Sequence, residues 1–547
     1  MLGAGPRYAL WEIAAKYLSR AQDSAAYPVL YAAKSSYGMV DSAAYTQMTD
    51  ARMPKLNNKI NMIGRDLERR RLTALAASPQ AEMLALYGRR RIGKTFLIEE
   101  HLGPLAGSFV HVTGKNQGNR QAQIAVFQAA VERSLFGGAR LPVFANWDQA
   151  FAQLALGVRQ QSLAHPDQPV VVFLDELPWL ATRRSGLLES LDHAWNTELR
   201  RIPQLKLILC GSAAAWIIRH LVDAKGGLHN RLTASLRLMP FNLCETKTYL
   251  AARGVRLRER QVLDVFMALG GVPYYLNFAG RGLSAAQIVA ETCLGSHSHL
   301  RGELQRLFTS LFDEGSHHLN IVRKLAIRQE GLTREEVAEA CAISTGGQLS
   351  LWLSELIEAG FIDEATPFGR KSKETRYRVI DEFTLFALRW TQRLSRGVLA
   401  QQDPSQWWSA QVGTPAYRAW AGYAFEGVCL KHHENIKRAL GFGAVATKSG
   451  TWRHKAKPGE SEPGAQVDLL FDRADHVFTI CEIKHCEGLF RIDKKYAAEL
   501  SRKVAVFQAH VARGRQVFLA LITTEGVAAN DYKTAIVDND VTLSALF

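Results

Sequence analysis

The hydrophobic pattern of residues 54–240 alternates short apolar runs with longer amphipathic stretches. The apolar runs predict strands at Met83–Tyr87, Ser108–Val112, Val170–Leu174, Lys206–Cys210 and Ser235–Met239. Strands that alternate with helices form a parallel sheet covered by helices on both faces. The pattern therefore predicts an α/β domain over 54–240. Helical periodicity around the turn Gly270–Pro273 predicts a helical lid over 241–316.

A different pattern occupies residues 317–400. Three helices are predicted at Ile321–Arg328, Thr333–Ala342 and Gly347–Ala359, followed by strands at Phe361–Ala365 and Glu374–Val379. Thr333 begins a capping box, which marks a helix start. The strands flank a polar loop that contains Gly369, Arg370 and Lys371. Three helices and a two-stranded wing predict a winged-helix domain.

The remaining pattern predicts a second α/β domain over 401–547, entered through a polar linker at Gln401–Ser405. Its predicted strands are Gln466–Phe471, Val477–Lys484 and Gln516–Ile522, and a helix at Lys494–Ala512 lies between the last two. Residues 1–53 have no clear periodicity. They are interpreted as an N-terminal appendage, with disorder left open.

Composition narrows the class of protein. The chain has 547 residues, 47% hydrophobic and 22% charged, which is typical of several globular domains and excludes bulk disorder. Of the net charge of +15, residues 54–316 carry +11. This excess favours a polyanionic partner, with a merely soluble basic surface as the alternative. The lack of a long apolar run predicts no membrane span. Seven cysteines without a CxxC pair predict reduced thiols in the cytoplasm.

The strongest motif is the loop Gly88–Thr95, a full match to GxxxxGK[ST] between a predicted strand and a predicted helix. Its glycines allow the tight turn that directs successive N–H groups at a phosphate, and the helix N-terminus adds its positive end. Lys94 is expected to reach the β- and γ-phosphates, and Thr95 to bind Mg²⁺. The predicted nucleotide-binding residues are Gly88, Arg89, Arg90, Arg91, Ile92, Gly93, Lys94 and Thr95.

Two acidic residues end the strand Val170–Leu174. Asp175 is predicted to hold Mg²⁺ and Glu176 to polarise the attacking water, although adjacent acids also serve as helix caps. Ser212, after the next strand, is placed to sense the γ-phosphate, with a simple tight turn as the alternative. Arg231 is a candidate to reach the γ-phosphate in the same chain or in a neighbouring subunit.

A second constellation lies near the C-terminus. Glu482 and Lys484 occupy positions i and i+2 of one strand and therefore share a face, and hairpin pairing brings Asp468 beside them. Two carboxylates bind a hard divalent cation, and a lysine alongside orients or deprotonates water. The alternative is a set of surface charges on an edge strand. Lys503, on the following helix, is expected on a solvated helix face.

Several blocks resemble the predominantly archaeal P-loop ATPase family of the STAND class, which is AAA-like. They are Ile63–Arg65 with Glu68, Tyr87–Thr95, Leu174–Leu180, Leu209–Ser212 and Gly270–Leu276. The resemblance implies that Gly64 and Arg65 line the nucleotide site and that Gly271 and Pro273 of the lid approach it. The Asp468, Glu482 and Lys484 set resembles the PD-(D/E)xK core of restriction-endonuclease-like domains. Glu426 matches the acid that often completes that core.

Together these features predict a P-loop ATPase domain with a helical lid, a winged helix and a restriction-endonuclease-like α/β domain. The resemblance implies an ATP-driven switch that uses ATP and Mg²⁺, gates a metal-dependent nuclease-like domain or assembles it into a homo-oligomer, and acts on DNA or RNA. The alternatives are a nucleic-acid-binding regulator with an inactive nuclease fold, and a scaffold that binds ATP without turnover.

Overall fold

The structure is a computed structural model that describes residues 62–547, apart from 183, 224–226, 296, 313, 329, 393–402, 455 and 457–463. The predicted appendage over 1–53 lies outside these residues. In the described part of the chain, no helix combines the length and apolarity needed to cross a bilayer.

The first domain is built on a parallel five-stranded sheet. Its strands are β1 (Glu82–Tyr87), β2 (Ser108–Thr113), β3 (Val170–Asp175), β4 (Leu205–Gly211) and β5 (Ala234–Arg237). Its helices are α1 (Asp66–Ala76), α2 (Lys94–His101), α3 (Arg120–Leu135), α4 (Trp147–Ala164), α5 (Leu177–Leu180), α6 (Leu187–Thr197) and α7 (Ala214–Ile217). The five strands confirm the alternation read from the sequence. All four strand pairs are parallel, as crossover helices require.

Sheet order determines which strand ends meet. The order is β2-β3-β4-β1-β5, so β4 lies between β1 and β3. Strands β3 and β4 are buried along their whole length, because separate apolar clusters cover the two faces of the sheet. The carboxyl ends of β1, β3 and β4 therefore form one edge, at the position where α/β sheets bind ligands. With the loop Gly88–Thr95 between β1 and α2, this is the architecture of a P-loop NTPase core.

The lid consists of short helices after β5. They are α8 (Leu243–Ala252), α9 (Glu259–Leu269), α10 (Pro273–Leu276), α11 (Ala285–Val289, continued as a π-turn over Ala290–Leu294) and α12 (Glu303–Leu311). Gly271 packs against the backbone of Phe241, whose amide donates to the Gly271 carbonyl at 2.7 Å. A Cβ on Gly271 would come within 1.8 Å of the Phe241 carbonyl oxygen, so this contact requires glycine.

The segment predicted to be a winged helix contains the three predicted helices and the two predicted strands, and in addition a short first strand and a following helix. They are α13 (Gly315–Ile327), β6 (Leu332–Thr333), α14 (Arg334–Cys341), α15 (Gly347–Glu358), β7 (Ile362–Ala365) and β8 (Arg376–Val379), followed by α16 (Glu382–Phe386) and a π-turn over Ala387–Thr391. The capping box at Thr333 is formed as the sequence indicated. The three strands pair in the order β6-β8-β7, and β7 and β8 form the antiparallel wing.

The C-terminal domain is a mixed sheet with helices packed against it. Its helices are α17 (Pro404–Gln411), α18 (Pro415–Lys431), α19 (His433–Ala439), α20 (Lys494–Phe507, continued as a π-turn over Gln508–Ala512) and α21 (Asp531–Ile536). Its strands are β9 (Thr447–His454), β10 (Ala465–Arg473), β11 (Val477–Lys484), β12 (Gln516–Thr523) and β13 (Asn539–Thr542), in the order β13-β12-β11-β10-β9. The β9–β11 pairs are antiparallel and the β11–β13 pairs are parallel.

The described part of the predicted linker differs from the expectation. Residues 401 and 402 lie outside the described residues, but Asp403 caps α17 and Pro404 is its first residue. Proline at the first helical position and an acidic N-cap residue are both signals of a helix start. The prediction of a linker rested on the polar composition of the segment and did not use these signals. One apolar cluster runs from the lid through the winged helix into the C-terminal domain, whereas the parallel sheet has clusters of its own.

Candidate functional site

The phosphate loop has the backbone that its glycines permit. Gly88 and Gly93 have φ of 144° and 89°, and a Cβ on Gly88 would lie 2.3 Å from the Leu238 carbonyl oxygen. Arg91 also has positive φ, at 72°. Non-glycine residues rarely adopt this conformation, and when they do they are often found at functional sites. The loop therefore has a constrained shape immediately before α2.

Lys94 lies beneath this loop. Its side chain is buried, and its ammonium group donates to the carbonyl oxygens of Gly88 and Arg89, both at 3.0 Å. These carbonyls belong to the loop itself, so the charge is held close to where the loop amides would meet a phosphate.

Thr95 and Asp175 meet at the sheet edge. The Thr95 hydroxyl donates to Asp175 Oδ2 at 2.7 Å. Burial alone raises the pKa of Asp175, but hydrogen bonds from His111, Thr95 and neighbouring groups outweigh it and hold the pKa below its ordinary value. An ionised carboxylate next to a hydroxyl is a hard-oxygen pair that fits Mg²⁺.

Glu176 follows in a left-handed backbone conformation, with φ of 49°. Its carboxylate accepts from the backbone N–H of Ser212 at 3.1 Å and from the Ser212 hydroxyl at 2.9 Å. Glu176 occupies the N-cap position of α5, as one alternative from the sequence had it, but its side chain forms no capping hydrogen bond. The structure instead joins the predicted base to the predicted sensor.

The three arginines of the loop have different environments. The Arg89 side chain turns away from the loop surface and forms an ion pair with Asp381, both being 3% exposed. The Arg91 side chain pairs with buried Glu303 of the lid. Among the described residues, Arg90 has no hydrogen bond or ion pair. The predicted nucleotide contacts of Arg89 and Arg91 therefore rest on their backbone amides, and only Arg90 has a side chain available.

Arg231 stands apart from the loop. It ends a 3₁₀ turn and lies 3.6 Å from a carboxylate oxygen of Asp192 on α6. No contact joins it to the phosphate loop within the described part of the chain. Its role toward a γ-phosphate stays a prediction.

Arg65 and its neighbour Gly64 lie at the base of the lid. Arg65 is buried, donates to the carbonyls of Met239 and Ile92, and stacks over Phe241 with its guanidinium carbon 4.7 Å from the ring centre. Its neighbour Gly64 packs against Glu245, which also accepts from the Arg65 amide. Pro273 begins α10, two residues after Gly271. These residues connect the phosphate loop to the hinge of the lid.

The C-terminal constellation is also brought together. Pairing of β10 with β11 places Asp468 beside Glu482, and the Ile483 amide donates to Asp468 at 3.1 Å. The Lys484 ammonium lies 2.8 Å from Glu482. Glu426, on α18, and Asp468 line the same cavity. The predicted arrangement of i and i+2 residues on one face of β11 is thus present.

The pKa values of the three carboxyl groups at this second site are shifted in different directions. Burial, and then the charge of Asp468, raise the pKa of Glu426 to about 8. Burial and the charge of Glu482 also raise the pKa of Asp468. Burial acts in the same direction on Glu482, but Lys503 and Lys484 outweigh it and lower its pKa. Glu482 is therefore ionised, while Glu426 retains its proton at neutral pH.

The pKa values of these carboxyl groups bear on whether the C-terminal site fits a divalent cation. Among the described residues, no group of three or more His, Cys, Asp and Glu side chains has the spacing of a preformed metal site. Buried carboxyl groups with raised pKa values nonetheless provide the oxygen ligands that a hard cation prefers, and the cation would offset the cost of ionising them. Asp468 and Glu426 fit a hard cation in this respect, and Glu482 is already compensated by lysines.

Sequence reasoning missed three contributors. His111 on β2 lies 3.8 Å from Asp175, and its position opposite the end of β3 was the available signal. Tyr496 donates to Glu482 at 2.8 Å. Lys503 also donates to Glu482, so the expectation of a solvated helix face was wrong. The helical spacing of seven residues puts Tyr496 and Lys503 on the same side of α20.

Comparisons with known proteins identify distant similarity. No protein-family model matches the chain. The uncharacterised protein MJECL04 of Methanocaldococcus jannaschii is 22% identical over 454 residues, which cover 81% of this chain and 91% of that protein.

Among solved structures, the Walker-type ATPase PABY2304 of Pyrococcus abyssi is 19% identical, covers 60% of this chain and 97% of its own, and has a TM-score of 0.45. The Aeropyrum pernix ORC2 protein is 16% identical and covers 65% and 97%, with a TM-score of 0.41. With similarity at this level, the P-loop NTPase architecture rests on the sheet order and the phosphate loop of this chain.

Proposed function

We propose that the chain binds and hydrolyses ATP and uses the nucleotide state to control a metal-dependent, nuclease-like C-terminal domain that acts on nucleic acid. The observation that carries the proposal is the convergence at one sheet edge of Lys94, the Thr95–Asp175 pair and the Glu176–Ser212 pair. Lys94 supplies the positive charge that faces the phosphates, and the Thr95–Asp175 pair supplies two ligands for Mg²⁺. Ser212 keeps Glu176 in position to act as the base.

Each group has a defined task in phosphoryl transfer. The loop amides and Lys94 bind the β- and γ-phosphates, for which Lys94 exchanges its two carbonyl partners. Thr95 and Asp175 would hold Mg²⁺, which neutralises phosphate charge when bound. Glu176 accepts a hydrogen bond from the attacking water and orients it, and Ser212 keeps that carboxylate in place. The depressed pKa of Asp175 keeps it ionised for this task at neutral pH.

A switch needs a connection between the phosphate loop and the other domains. Arg89 reaches from the loop to Asp381, the N-cap of α16 directly after the wing, and its guanidinium lies over Tyr275 and Phe361. Arg91 reaches Glu303 of the lid. A loop that moves to enclose phosphates would strain or release both ion pairs. This supports a STAND-type switch in which nucleotide state sets the positions of the lid and the winged helix.

The C-terminal site supports hydrolysis of a phosphodiester. Asp468 and Glu426 would hold a divalent cation, which supplies Lewis-acid stabilisation of the phosphate when bound. Lys484 lies against Glu482 and above Tyr496. Burial lowers the pKa of Lys484, but the charges of Glu482 and its neighbours outweigh this and raise it, so the ammonium group orients a water by donating a hydrogen bond and does not deprotonate it. The +11 charge of residues 54–316 supports a nucleic-acid partner.

A second candidate function is an ATP-dependent regulator with an inactive nuclease fold. It is favoured by the environment of Glu482, whose oxygens already accept from Lys484, Lys503 and Tyr496. A cation that needed Glu482 as a ligand would have to displace at least one of these donors.

The deciding experiment measures phosphate release and strand cleavage in the same reactions. The full chain is incubated with ATP, Mg²⁺ or Mn²⁺, and single- or double-stranded DNA or RNA. We expect phosphate release and metal-dependent cleavage, and we expect Lys484→Ala to keep the former and lose the latter. Phosphate release without cleavage in any reaction favours the inactive nuclease fold. Neither activity, with ATP still bound, favours a scaffold.

A further inference from the structure

The wing of the winged helix is docked on the C-terminal sheet. The Phe368 amide donates to the Thr451 carbonyl of β9 at 3.0 Å, and the Phe368 ring packs edge-on against Phe478 at 5.7 Å between ring centres. Arg453 of β9 pairs with Glu330, just before β6. The wing is therefore held against the edge strand of the second α/β domain.

This docking encloses a cavity between the two domains. Its volume is about 400 Å³, and it is walled by β7 and β8 on one side and by β9, β10 and α18 on the other. Glu426 and Asp468 lie on the C-terminal wall. The winged helix thus forms one side of the carboxylate site.

Two arginines of β8 face this cavity and differ in their partners. Arg376 donates to the Gly331 carbonyl at 2.7 Å and pairs with Glu336, so its charge is compensated within the winged helix. Arg378, two residues further along the same face, is partly buried and has no hydrogen bond or ion pair with any residue that the structure describes. The Tyr423 hydroxyl donates to the Val379 carbonyl at 3.4 Å, one turn of α18 before Glu426.

We propose that Arg378 of the winged helix completes the C-terminal site by binding a backbone phosphate of a single-stranded nucleic acid that enters this cavity. The proposal rests on the nucleic-acid function proposed above. A guanidinium is the side chain best suited to a phosphate, because its forked donors match two oxygens. Arg378 has those donors free, and it faces the carboxylates that would hold the cation.

The cavity size favours an unpaired strand. About 400 Å³ is within the range of pockets that enclose one small-molecule ligand, which corresponds to about one nucleotide. A cavity of this volume is too small for a duplex, whose major groove alone is about 12 Å wide. A single strand enters one nucleotide at a time.

The side chains that line the cavity carry charges of both signs. Its acids are Glu330, Asp363, Glu364, Glu426 and Asp468, and its arginines are Arg376, Arg378 and Arg453. Arg376 and Arg453 are paired with glutamates, which leaves Arg378 as the arginine of this lining without an ion pair among the described residues. Cleavage requires a divalent cation, so binding in metal-free buffer reports on Arg378 independently of cleavage.

The test uses the full chain and a labelled single strand of about 12 nucleotides, in EDTA, across about 50 to 200 mM salt. Arg378→Gln should weaken binding by about 10- to 100-fold, the loss of one charge-assisted contact. It should also reduce the salt slope by about 0.7, the value for one phosphate on a single strand. Arg378→Lys should recover part of the affinity. Arg323→Gln, an exposed charge on α13 away from the cavity, is the matched control.

The outcomes separate the two proposals. Wild-type binding that Arg378→Gln leaves unchanged, or an equal loss in Arg323→Gln, overturns the role of Arg378. Tighter binding of the blunt duplex of the same sequence overturns entry of an unpaired strand. Binding that depends on Arg378 without any metal-dependent cleavage retains Arg378 and rejects only the nuclease. No binding by the wild type overturns both. Unchanged phosphate release in Arg378→Gln verifies that the variant is folded.

Discussion

The phosphate-loop site and the C-terminal site are both built around buried carboxyl groups, but the pKa values of these groups are shifted in opposite directions. Asp175 accepts several hydrogen bonds, and its pKa is lowered. Glu426 and Asp468 have few donors and face other carboxylates, and their pKa values are raised. The first site is thus ionised before any ligand arrives, whereas the second retains a proton that a cation must displace.

The difference follows from what surrounds each carboxylate. Around Asp175 the neighbours are neutral donors on adjacent parallel strands and the phosphate-loop helix, so burial is offset. Around Glu426, burial and the charges of Asp468 and Glu482 raise the pKa, and the charges of Lys484 and Arg378 offset only part of that rise. Hydrogen bonds preorganise the first site, whereas burial and neighbouring carboxylates leave the second with a proton that a cation would have to displace.

The largest expected effect is at the phosphate loop. Lys94→Ala removes the counter-charge beneath the loop and should lower kcat/KM for ATP by at least about 1,000-fold. Phosphate release and fluorescent-nucleotide binding measure the two components. Arg201→Ala, an exposed charge before the opposite end of β4, should behave as the wild type.

Glu176→Gln separates binding from turnover. Gln keeps the shape and the hydrogen bond with Ser212 but cannot act as a base, so kcat should fall by about 100- to 10,000-fold while ATP affinity is retained. Quenched-flow turnover with an equilibrium binding measurement checks this. A variant that hydrolyses ATP at the wild-type rate would exclude Glu176 as the base.

Breaking the ion pair between the phosphate loop and the winged helix should lower the free energy of unfolding. Arg89→Ala leaves Asp381 buried without its partner and should destabilise the fold by about 3–5 kcal/mol. The Arg219–Glu355 pair gives a comparison, because Arg219 is 48% exposed and Glu355 keeps His318 as a second partner, so Arg219→Ala should cost less than about 1 kcal/mol. Urea unfolding measures both. Equal costs would mean that the Arg89 pair does not join the domains.

The pH dependence of ligand binding should differ between the two sites. Below the pKa of Glu426, about 8, a cation must displace a proton, so Mn²⁺ affinity at the C-terminal site should rise by up to about tenfold per pH unit from pH 6 to 8. The Asp175 pKa is depressed, so protonation of that carboxyl should add no such dependence to nucleotide binding. Calorimetry in the absence of nucleotide measures the first. A flat profile would show that Glu426 does not give up a proton to the cation.

The smallest expected effect concerns stability. A carboxyl whose folded pKa is raised favours the folded state while it is protonated, and that contribution is lost as pH rises from about 4.5 to about 8. Glu426→Gln should therefore match the wild type at pH 4 and be more stable than the wild type at pH 9. Denaturant melts at the two pH values test the sign.

The sequence predicted most of the fold because its signals were local. Apolar runs located β1 to β5, and capping and turn residues located the winged helix. The phosphate loop was predicted from its motif between a strand and a helix. The Asp468, Glu482 and Lys484 set was predicted because strand periodicity determines which side chains share a face. Contacts between residues that are far apart along the chain leave no local pattern in the sequence. Neither the Arg89–Asp381 pair, 292 residues apart, nor the link from Lys503 to Glu482 follows from spacing.

The central claim is that the chain has two separate sites, one for ATP turnover and one for a divalent cation. Its most direct test compares Lys94→Ala with Asp468→Asn/Glu426→Gln, measuring phosphate release and nucleotide-free Mn²⁺ binding for each. We expect Lys94→Ala to lose phosphate release and retain Mn²⁺ binding, and the double variant to retain phosphate release and lose Mn²⁺ binding. Phosphate release that persists in Lys94→Ala, or Mn²⁺ binding unchanged in the double variant, would contradict the claim.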